Sequence, residues 1–536
     1  MTSPAHKLPL REKIGYAMGD TAANFVWRGA WAYLPIFYTD TFGIPAAAAA
    51  MLLLLVRLSD GVTDIIMGMI ADRTETRWGK FRPWVLWSAP ALGLFMALTF
   101  ITPDISVSAK LVYAYFMYIG LTLAYTISNV PYSALMGVMT PDHLERTDLS
   151  GWRFAGAFFG GLLVMSGTPL LVTFFGQGNE QLGYQYTMYL FSVLLVILLL
   201  ITFVSTKERV KPFVQEGTLK QDLIDLSKNL PFIIVPLIAV SLFFYYRNIT
   251  TGLLLAVIAA LSYYFIKQLI NKPESETSNT QRDLIDLLTN VPWLILLVIG
   301  FLFTMFNGIK VGSTAYYFEH YSTGTLFLGT AVGDWFNANI HENFSVLVDS
   351  HLVSLYFGTL LFVSMLAALS VGYITKFIDK RNLFIIALVS GGILTGMISF
   401  AGPGQVSFVF ILGCASEFFA AIMPVLFFSM LGDAADYSEW KHKRRATGLV
   451  YSAGTFINKT GGGFSGAMIL LVLAGYGYIA ESPETIKATL PGIKLLMSWI
   501  PAAFAIIAAA IMLLYPLTSS RMSRIQADLA HQRKNS

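Results

Sequence analysis

Charge is what this sequence has least of. Only 13% of its 536 residues are Asp, Glu, Lys or Arg, against 55% hydrophobic residues and a mean hydropathy of +0.62. A water-soluble fold of that length could not cover its surface with so few charges, whereas a chain solvated by lipid has no such need, so a soluble globular enzyme is excluded. Cysteine is nearly missing as well: Cys414 stands alone inside an apolar run, which excludes a disulfide-stapled ectodomain. The seven histidines are scattered without a His-Glu-x-x-His spacing, and neither a nucleophile with a base nor a phosphate loop is evident. The expectation is therefore a protein that is not an enzyme and carries no cofactor. Net charge is only +4, with the basic residues in short clusters between apolar stretches, which speaks against nucleic acid as a partner. A cleavable signal peptide is not expected either, because the first apolar stretch, Ile14 to Thr39, is too long and lacks a small-residue cleavage site.

What is present is apolar and aromatic. Aromatic residues reach 14% and glycines number 44, as befits a polytopic membrane protein in which Trp and Tyr gather at the lipid boundary and Gly lets spanning helices approach. Stretches near the roughly 20 residues needed to cross a bilayer fall at about 14–39, 45–71, 84–102, 109–138, 150–175 and 184–204. A second set follows at about 292–318, 350–373, 383–401, 406–430, 446–476 and 490–516. The expected fold class is all-α, with an N-terminal six-helix bundle over 1–205, a central loop over 206–291, a C-terminal six-helix bundle over 292–518 and a polar tail over 519–536. Lys and Arg concentrate in alternate loops, at Arg73, Arg77, Lys80 and Arg82, at Arg146, at Lys207, Arg209 and Lys211, at Lys376, Lys380 and Arg381, and at Lys441, Lys443, Arg444 and Arg445. The opposite loops carry only Lys487, so both termini are expected on the cytoplasmic side of the cell inner membrane.

The central loop holds an internal repeat. Gln221-Asp-Leu-Ile-Asp-Leu-Ser-Lys-Asn229-Leu-Pro231-Phe232 returns as Arg282-Asp-Leu-Ile-Asp-Leu-Leu-Thr-Asn290-Val-Pro292-Trp293, 61 residues later. Two further apolar runs, 230–246 and 250–270, lie between the copies and raise the expected number of spans to about 14. They read as an inserted hairpin at the bundle periphery or as interfacial helices. The outer loop 319–349, with Phe327, Trp335, Phe336 and Phe344, reads as a variable surface loop or a cap over the substrate entrance.

A charge near the bilayer centre costs at least about 2.5 to 3.5 kcal/mol on insertion scales, so each asks for a partner or a function. Span two carries Arg57, Asp60 and Asp64 on one helical face, with Thr63 beside them. Two carboxylates a turn apart suit a small cation or a held proton; a packing salt bridge of Arg57 with Asp60 is the alternative and leaves Asp64 unexplained. Span one has a polar stripe of Asp20, Asn24 and Arg28 with Trp27 and Trp31 adjoining, a combination that suits a sugar ring. Span four offers Tyr125, Thr126, Asn129 and Ser133, span five Arg153, and span eleven Thr455 and Lys459. Lys459 has no carboxylate in its own helix, so Asp60 or Asp64 is its expected partner and one cavity between the halves follows.

The run Gly15-Tyr-Ala-Met-Gly-Asp20-Thr-Ala-Ala-Asn24, the segment Arg57-Leu-Ser-Asp60-Gly-Val-Thr-Asp64, the loop from Asp72 through Trp78-Gly79-Lys80-Phe81-Arg82-Pro83-Trp84, Asn129-Val-Pro131-Tyr132 and Asp433-Ala-Ala-Asp436-Tyr437 resemble the glycoside-pentoside-hexuronide:cation symporters of the major facilitator superfamily. The resemblance implies a sugar symporter working by alternating access, a monomer in the lipid bilayer, with H+ or Na+ as coupling ion. It implies that Asp60, Asp64 and Thr126 are cation-site ligands, that Lys459 lies near that site, and that Arg153 belongs to the sugar site. Where the melibiose-transporting branch has two sugar-gripping Asp residues this chain has Thr21 and Asn129, and where that branch has a sodium-binding Asn it has Thr63. The Gly-Asp and Asn-x-Pro-Tyr wording is more similar to the glucuronide and xyloside branches. A sodium ion at Asp60 and Asp64 is the one metal this set admits. The loop cations Arg77, Lys80 and Arg82, together with Asp433, Asp436 and Arg445, are expected to form charge-paired locks on the cytoplasmic side, or to act as topology-setting surface charge. Arg28 and Arg153 together shift the cavity toward positive, which favours an acidic sugar unless Arg28 is paired with Asp20 or Asp40. A lysolipid or other amphiphile carrier on the same fold is the alternative function.

Overall fold

The computed structural model describes residues 7–210, 264, 267–268, 279–322, 352–444, 446–478 and 483–535. The first repeat copy, the inserted hairpin apart from residues 264 and 267–268, the outer loop beyond Ser322, Arg445 and the side chains of Trp31, Asp40 and Arg57 lie outside the described residues. The first set of helices is α1 (Leu10–Ala32), α2 (Ala46–Arg73), α3 (Arg82–Thr99), α4 (Val107–Met139), α5 (His143–Gly176) and α6 (Glu180–Ser205). A short helix α7 (Asn279–Leu288) leads into α8 (Val291–Tyr316), followed by α9 (Leu352–Ile374), α10 (Lys380–Met397), α11 (Val406–His442), α12 (Thr447–Gly475), α13 (Pro483–Met497), α14 (Trp499–Met512) and α15 (Ser519–Asn535). No strand occurs among the described residues, nine of whose helical segments are long and apolar enough to cross a membrane.

Two expected spans are broken, each near a proline. Span one stops at Tyr33 and continues through Leu34–Ile36 into a single π-turn at Phe37–Thr41. Pro35 sits in the first turn of that second piece, where its missing N–H costs nothing. Span twelve starts earlier than expected and splits at Ser498, between α13 and α14. The ring of Pro501 would collide with the carbonyl of residue 497 in a continuous helix, and the Ser498 hydroxyl satisfies the freed Lys494 carbonyl at 2.6 Å. Elsewhere helices outrun their apolar stretches. α5 begins at His143 because the Asp142 carboxylate accepts the N–H groups of Leu144 and Glu145 at 2.8 and 3.2 Å. α11 runs on to His442 and closes with Lys443 in the left-handed region, φ 54°, so Asp433 and Asp436 stand on a rigid helix and not in a loop.

The lipid face is read directly from periodicity. Along α4, Val112, Phe116, Ile119 and Leu123 are exposed, while Tyr118, Leu121, Ala124 and Thr126 point inward and are buried. α1 packs on α5 and α6, α3 on α4 and α6, and α2 on α4; in the second set α8 packs on α12 and α14, α10 on α11 and α14, and α9 on α11. Glycines permit the closest of these contacts: a Cβ on Gly156 would lie 2.3 Å from the Ala17 carbonyl oxygen, and one on Gly160 2.7 Å from that of Thr21.

The two sets touch through α5 against α9 and α11, and through α12 against α2 and α4. Those contacts gather on the side of the basic loops. There a Cβ on Gly151 would meet the Ala368 carbonyl oxygen at 2.5 Å and one on Gly448 the Gly68 oxygen at 2.4 Å. In the opposite half of α12, Gly462, Gly463 and Gly466 meet nothing within 4 Å among the described residues. On its basic side, therefore, the described residues bring the two sets into close backbone contact.

Candidate functional site

The interior charges of α2 and α12 meet. Lys459 Nζ lies 2.9 Å from one Asp64 carboxylate oxygen and 3.0 Å from the other, and 3.7 Å from Asp60. Thr126 of α4 donates its hydroxyl to the same carboxylate at 2.9 Å. Asp64 is fully buried, and a buried carboxylate persists only when charge and hydrogen bonds compensate its lost hydration. Lys459 supplies the charge and Thr126 a bond. The turn-by-turn spacing of α2 brings Asp60 and Asp64 to the α12 face together. Thr63 donates its hydroxyl to the Asp60 carbonyl at 3.1 Å, and Tyr125 presents its ring 5.8 Å from the Lys459 ammonium. Among the described residues no group of three or more His, Cys, Asp or Glu side chains converges as a metal site would require.

A second cluster joins α1, α4 and α5. Arg153 donates from Nε to Asp20 at 2.8 Å and from Nη2 to the Ser133 hydroxyl at 2.9 Å. Its guanidinium lies 5.2 Å from the Tyr132 ring and 4.6 Å from that of Phe428, which reaches over from α11. Tyr16 and Tyr132 brace this cluster, each donating its hydroxyl to the other's carbonyl at 3.0 and 2.6 Å, with their rings stacked 4.6 Å apart. Asn24 donates to the Asp20 carbonyl at 2.9 Å, and Thr455 to the Tyr451 carbonyl at 3.0 Å. Thr21 differs from the sugar-contacting placement expected of it, since its hydroxyl is spent on the Gly156 carbonyl at 2.9 Å in the α1/α5 seam. Trp27 and Tyr125 stack 6.1 Å apart, and Asn129 is buried beside them on α4.

The pairing of Asp20 with Arg153 removes one expected partner from Arg28. The Arg28 guanidinium lies against Gly161 of α5 and near Leu361 of α9, and its Nε is buried without an acceptor. Two charges on this wall escaped the sequence reading: Lys310 of α8 and Glu417 of α11, paired at 2.7 Å, with the Ser364 hydroxyl on the other Glu417 oxygen at 2.8 Å. The signal was available, because both stand inside apolar spans.

On the basic side the expected lock forms with different cations. Arg146, wholly buried, donates to Asp433 at 2.9 Å and to Asp436 at 2.8 Å, while Lys380 takes the other Asp433 oxygen at 2.6 Å. Asp72 accepts the N–H groups of Gly448 and Leu449 at 2.8 and 3.1 Å, fastening α2 to the N-terminus of α12. The loop cations expected in this role turn back on the first set of helices. Arg77 stacks on Trp78, Lys80 donates to the Asp72 carbonyl at 3.2 Å, and Arg82 donates to the Phe203 carbonyl at 2.7 Å. The reason is Glu208, whose carboxylate accepts the backbone N–H groups of Lys80, Phe81 and Arg82 and folds the loop against the end of α6.

Residues 15–272 and 343–519 match the family described as MFS/sugar transport protein. The chain is 30% identical to the inner membrane symporter YicJ of Escherichia coli (strain K12), over 98% of this chain and 96% of that protein. It is 28% identical to the isoprimeverose transporter of Lactiplantibacillus pentosus, over 98% and 94%. In three dimensions it is similar to the major facilitator superfamily transporter FucP in its outward conformation, with a TM-score of 0.59 at 11% identity, covering 95% of this chain and 99% of that one.

Proposed function

Because this chain belongs to the MFS/sugar transport protein family and is a multi-pass membrane protein, we propose that it is a secondary carrier of the cell inner membrane that moves a sugar (a glycoside, pentoside or hexuronide) together with a cation by alternating access. The observation that carries the reading is the Lys459 ammonium lying against Asp64 and Asp60, where it ties α12 to α2. A coupling cation competes with that ammonium for the same oxygens, and its arrival loosens a charged link between the halves that lies midway along the helices. Asp60, Asp64, Thr126 and Lys459 are the cation site. Asp20, Asn24, Trp27, Arg28, Asn129, Arg153 and Thr455 line the sugar site, Arg153 being held in place by Asp20 and Ser133. Arg146 and Lys380 with Asp433 and Asp436 lock the basic side, which is cytoplasmic and carries both termini. The domains follow as 1–205, 206–291, 292–518 and 519–536, in a monomer without catalytic chemistry or nucleic-acid partner.

Energetically, one cation crossing a potential of about 100 mV supplies about 2.3 kcal/mol, roughly one to two decades of sugar gradient. The coupling ion in this reading is H+ in preference to Na+, because Thr63 spends its hydroxyl on a backbone carbonyl and offers no amide oxygen. Uptake of neutral and acidic sugars into vesicles, with sodium and proton gradients imposed separately, tests the function. Asp64→Asn and Asp60→Asn are expected to abolish gradient-driven accumulation. Concentrative uptake retained in both variants rejects the cation site, sodium-driven uptake without alkalinisation of the medium rejects the proton, and uptake of lysolipid in place of sugar restores the amphiphile carrier.

A further inference from the structure

Within the transport reading above, we propose that Arg28 binds a carboxylate on the transported sugar, so that the carrier selects an acidic glycoside over its neutral counterpart. The argument begins with the pairing of the interior cations among the described residues. Lys459 has Asp64 and Asp60, Arg153 has Asp20, and Lys310 has Glu417. Arg28 makes no hydrogen bond or ion pair with any described residue, and its Nε is buried without an acceptor. A cation at this depth is costly unless something neutralises it.

The candidate among the described residues is already taken. Glu417 is the carboxylate whose field reaches Arg28, yet its two oxygens are held by Lys310 at 2.7 Å and Ser364 at 2.8 Å. The group Arg28, Lys310 and Glu417 therefore carries one positive charge in excess. That wall of the interior is suited to an anion. The location fits a sugar ligand: Arg28 stands one turn along α1 from Asn24, beside Trp27, whose ring with that of Tyr125 offers an apolar face for a sugar's C–H surface. The residue type fits a carboxylate, since a guanidinium fork meets its two oxygens in parallel where an ammonium meets one point.

The test is direct binding of a matched p-nitrophenyl glucuronide and glucoside to the purified full-length carrier, followed by counterflow in proteoliposomes. The glucuronide is expected to bind about 10- to 100-fold more tightly than the glucoside, the worth of a charge-assisted hydrogen bond pair. Arg28→Gln is expected to collapse that ratio toward one by weakening the glucuronide far more than the glucoside, and Arg28→Lys to retain part of it. Glu417→Gln is expected to move the ratio the other way, because it removes the anion that opposes the ligand. Equal affinity of the wild type for both sugars overturns the proposal and leaves the symport reading intact. So does an Arg28→Gln variant that weakens both alike, as it would if Arg28 only served to pack α1 against its neighbours. Should Arg28→Gln fail to fold, the ratio in Arg28→Lys decides, an unreduced preference counting against the fork. Binding of neither sugar, alone or with any member of the wider panel, sinks the symport reading and this inference with it.

Discussion

At the residue scale the molecule turns on a few charges that would be ruinous alone. Asp64 is fully buried, and its carboxylate is held by the Lys459 ammonium and the Thr126 hydroxyl. Removing one member of a buried pair costs about 3–5 kcal/mol, because an uncompensated charge remains, whereas removing both is far milder. Lys459→Ala is accordingly expected to lower the melting temperature in detergent more than the double variant Lys459→Ala with Asp64→Asn. A double variant as unstable as the single would mean that Lys459 contributes packing and not charge. The same logic explains why Arg153 is held from several directions at once, by Asp20, Ser133 and the rings of Tyr132 and Phe428.

Among the elements, the second repeat copy gives the duplicated sequence a physical meaning. Its Asp-Leu-Ile-Asp portion forms the amphipathic helix α7, and Asn290 then caps α8 by accepting the Trp293 N–H at 3.1 Å while donating to the Ala434 carbonyl at 2.9 Å. Pro292 occupies the first turn, so the whole unit is a surface helix, a cap and a membrane helix start. One copy suffices to start the second bundle. Deleting residues 217–277 is therefore expected to leave a carrier that inserts and transports, checked by expression level and uptake. A truncated protein that inserts normally and loses substrate binding would assign the insertion to the site. The tail is a further element, α15, with Met522, Ile525 and Leu529 buried at helical spacing. It bridges the two halves, since Gln526 donates to the Pro141 carbonyl at 2.6 Å and Asp528 accepts from the Trp440 indole at 3.0 Å.

Over the whole molecule, the described residues fasten the two sets to each other on the basic side. The seal on the basic side is made of close glycine contacts, the Asp72 cap on α12 and the Arg146 fork. Two-state carriers keep their states within a few kcal/mol of one another, so loss of a buried fork worth about 3–5 kcal/mol is enough to change which state dominates. Arg146→Ala is expected to increase the distance between spin labels on the basic-side ends of α2 and α12. An unchanged distance distribution would demote Arg146 from lock to packing residue.

By itself the sequence determined the class of molecule, the rough places of the described spans and several interior charges, since these follow from local quantities: runs of apolar residues, the helical repeat and the cost of charge in lipid. It therefore places α2 and α4 nearly to their ends and puts Lys459 beside Asp60 or Asp64, from the absence of any carboxylate in its own helix. Where helices end was less legible, because polar turns beyond the bilayer, such as the Asp433 to His442 stretch of α11, carry no hydropathy signal and depend on caps and partners. The tail helix α15 was passed over for its polarity although its spacing was there to be read. Partner choice among charges was decided only by the tertiary structure. Thr21 faces the α1/α5 seam because glycines at 156 and 160 draw the helices together, and Arg82 turns inward because Glu208, over a hundred residues away in the chain, holds its loop. Arg28 does not pair with Asp20 because Arg153, on another helix, holds that carboxylate.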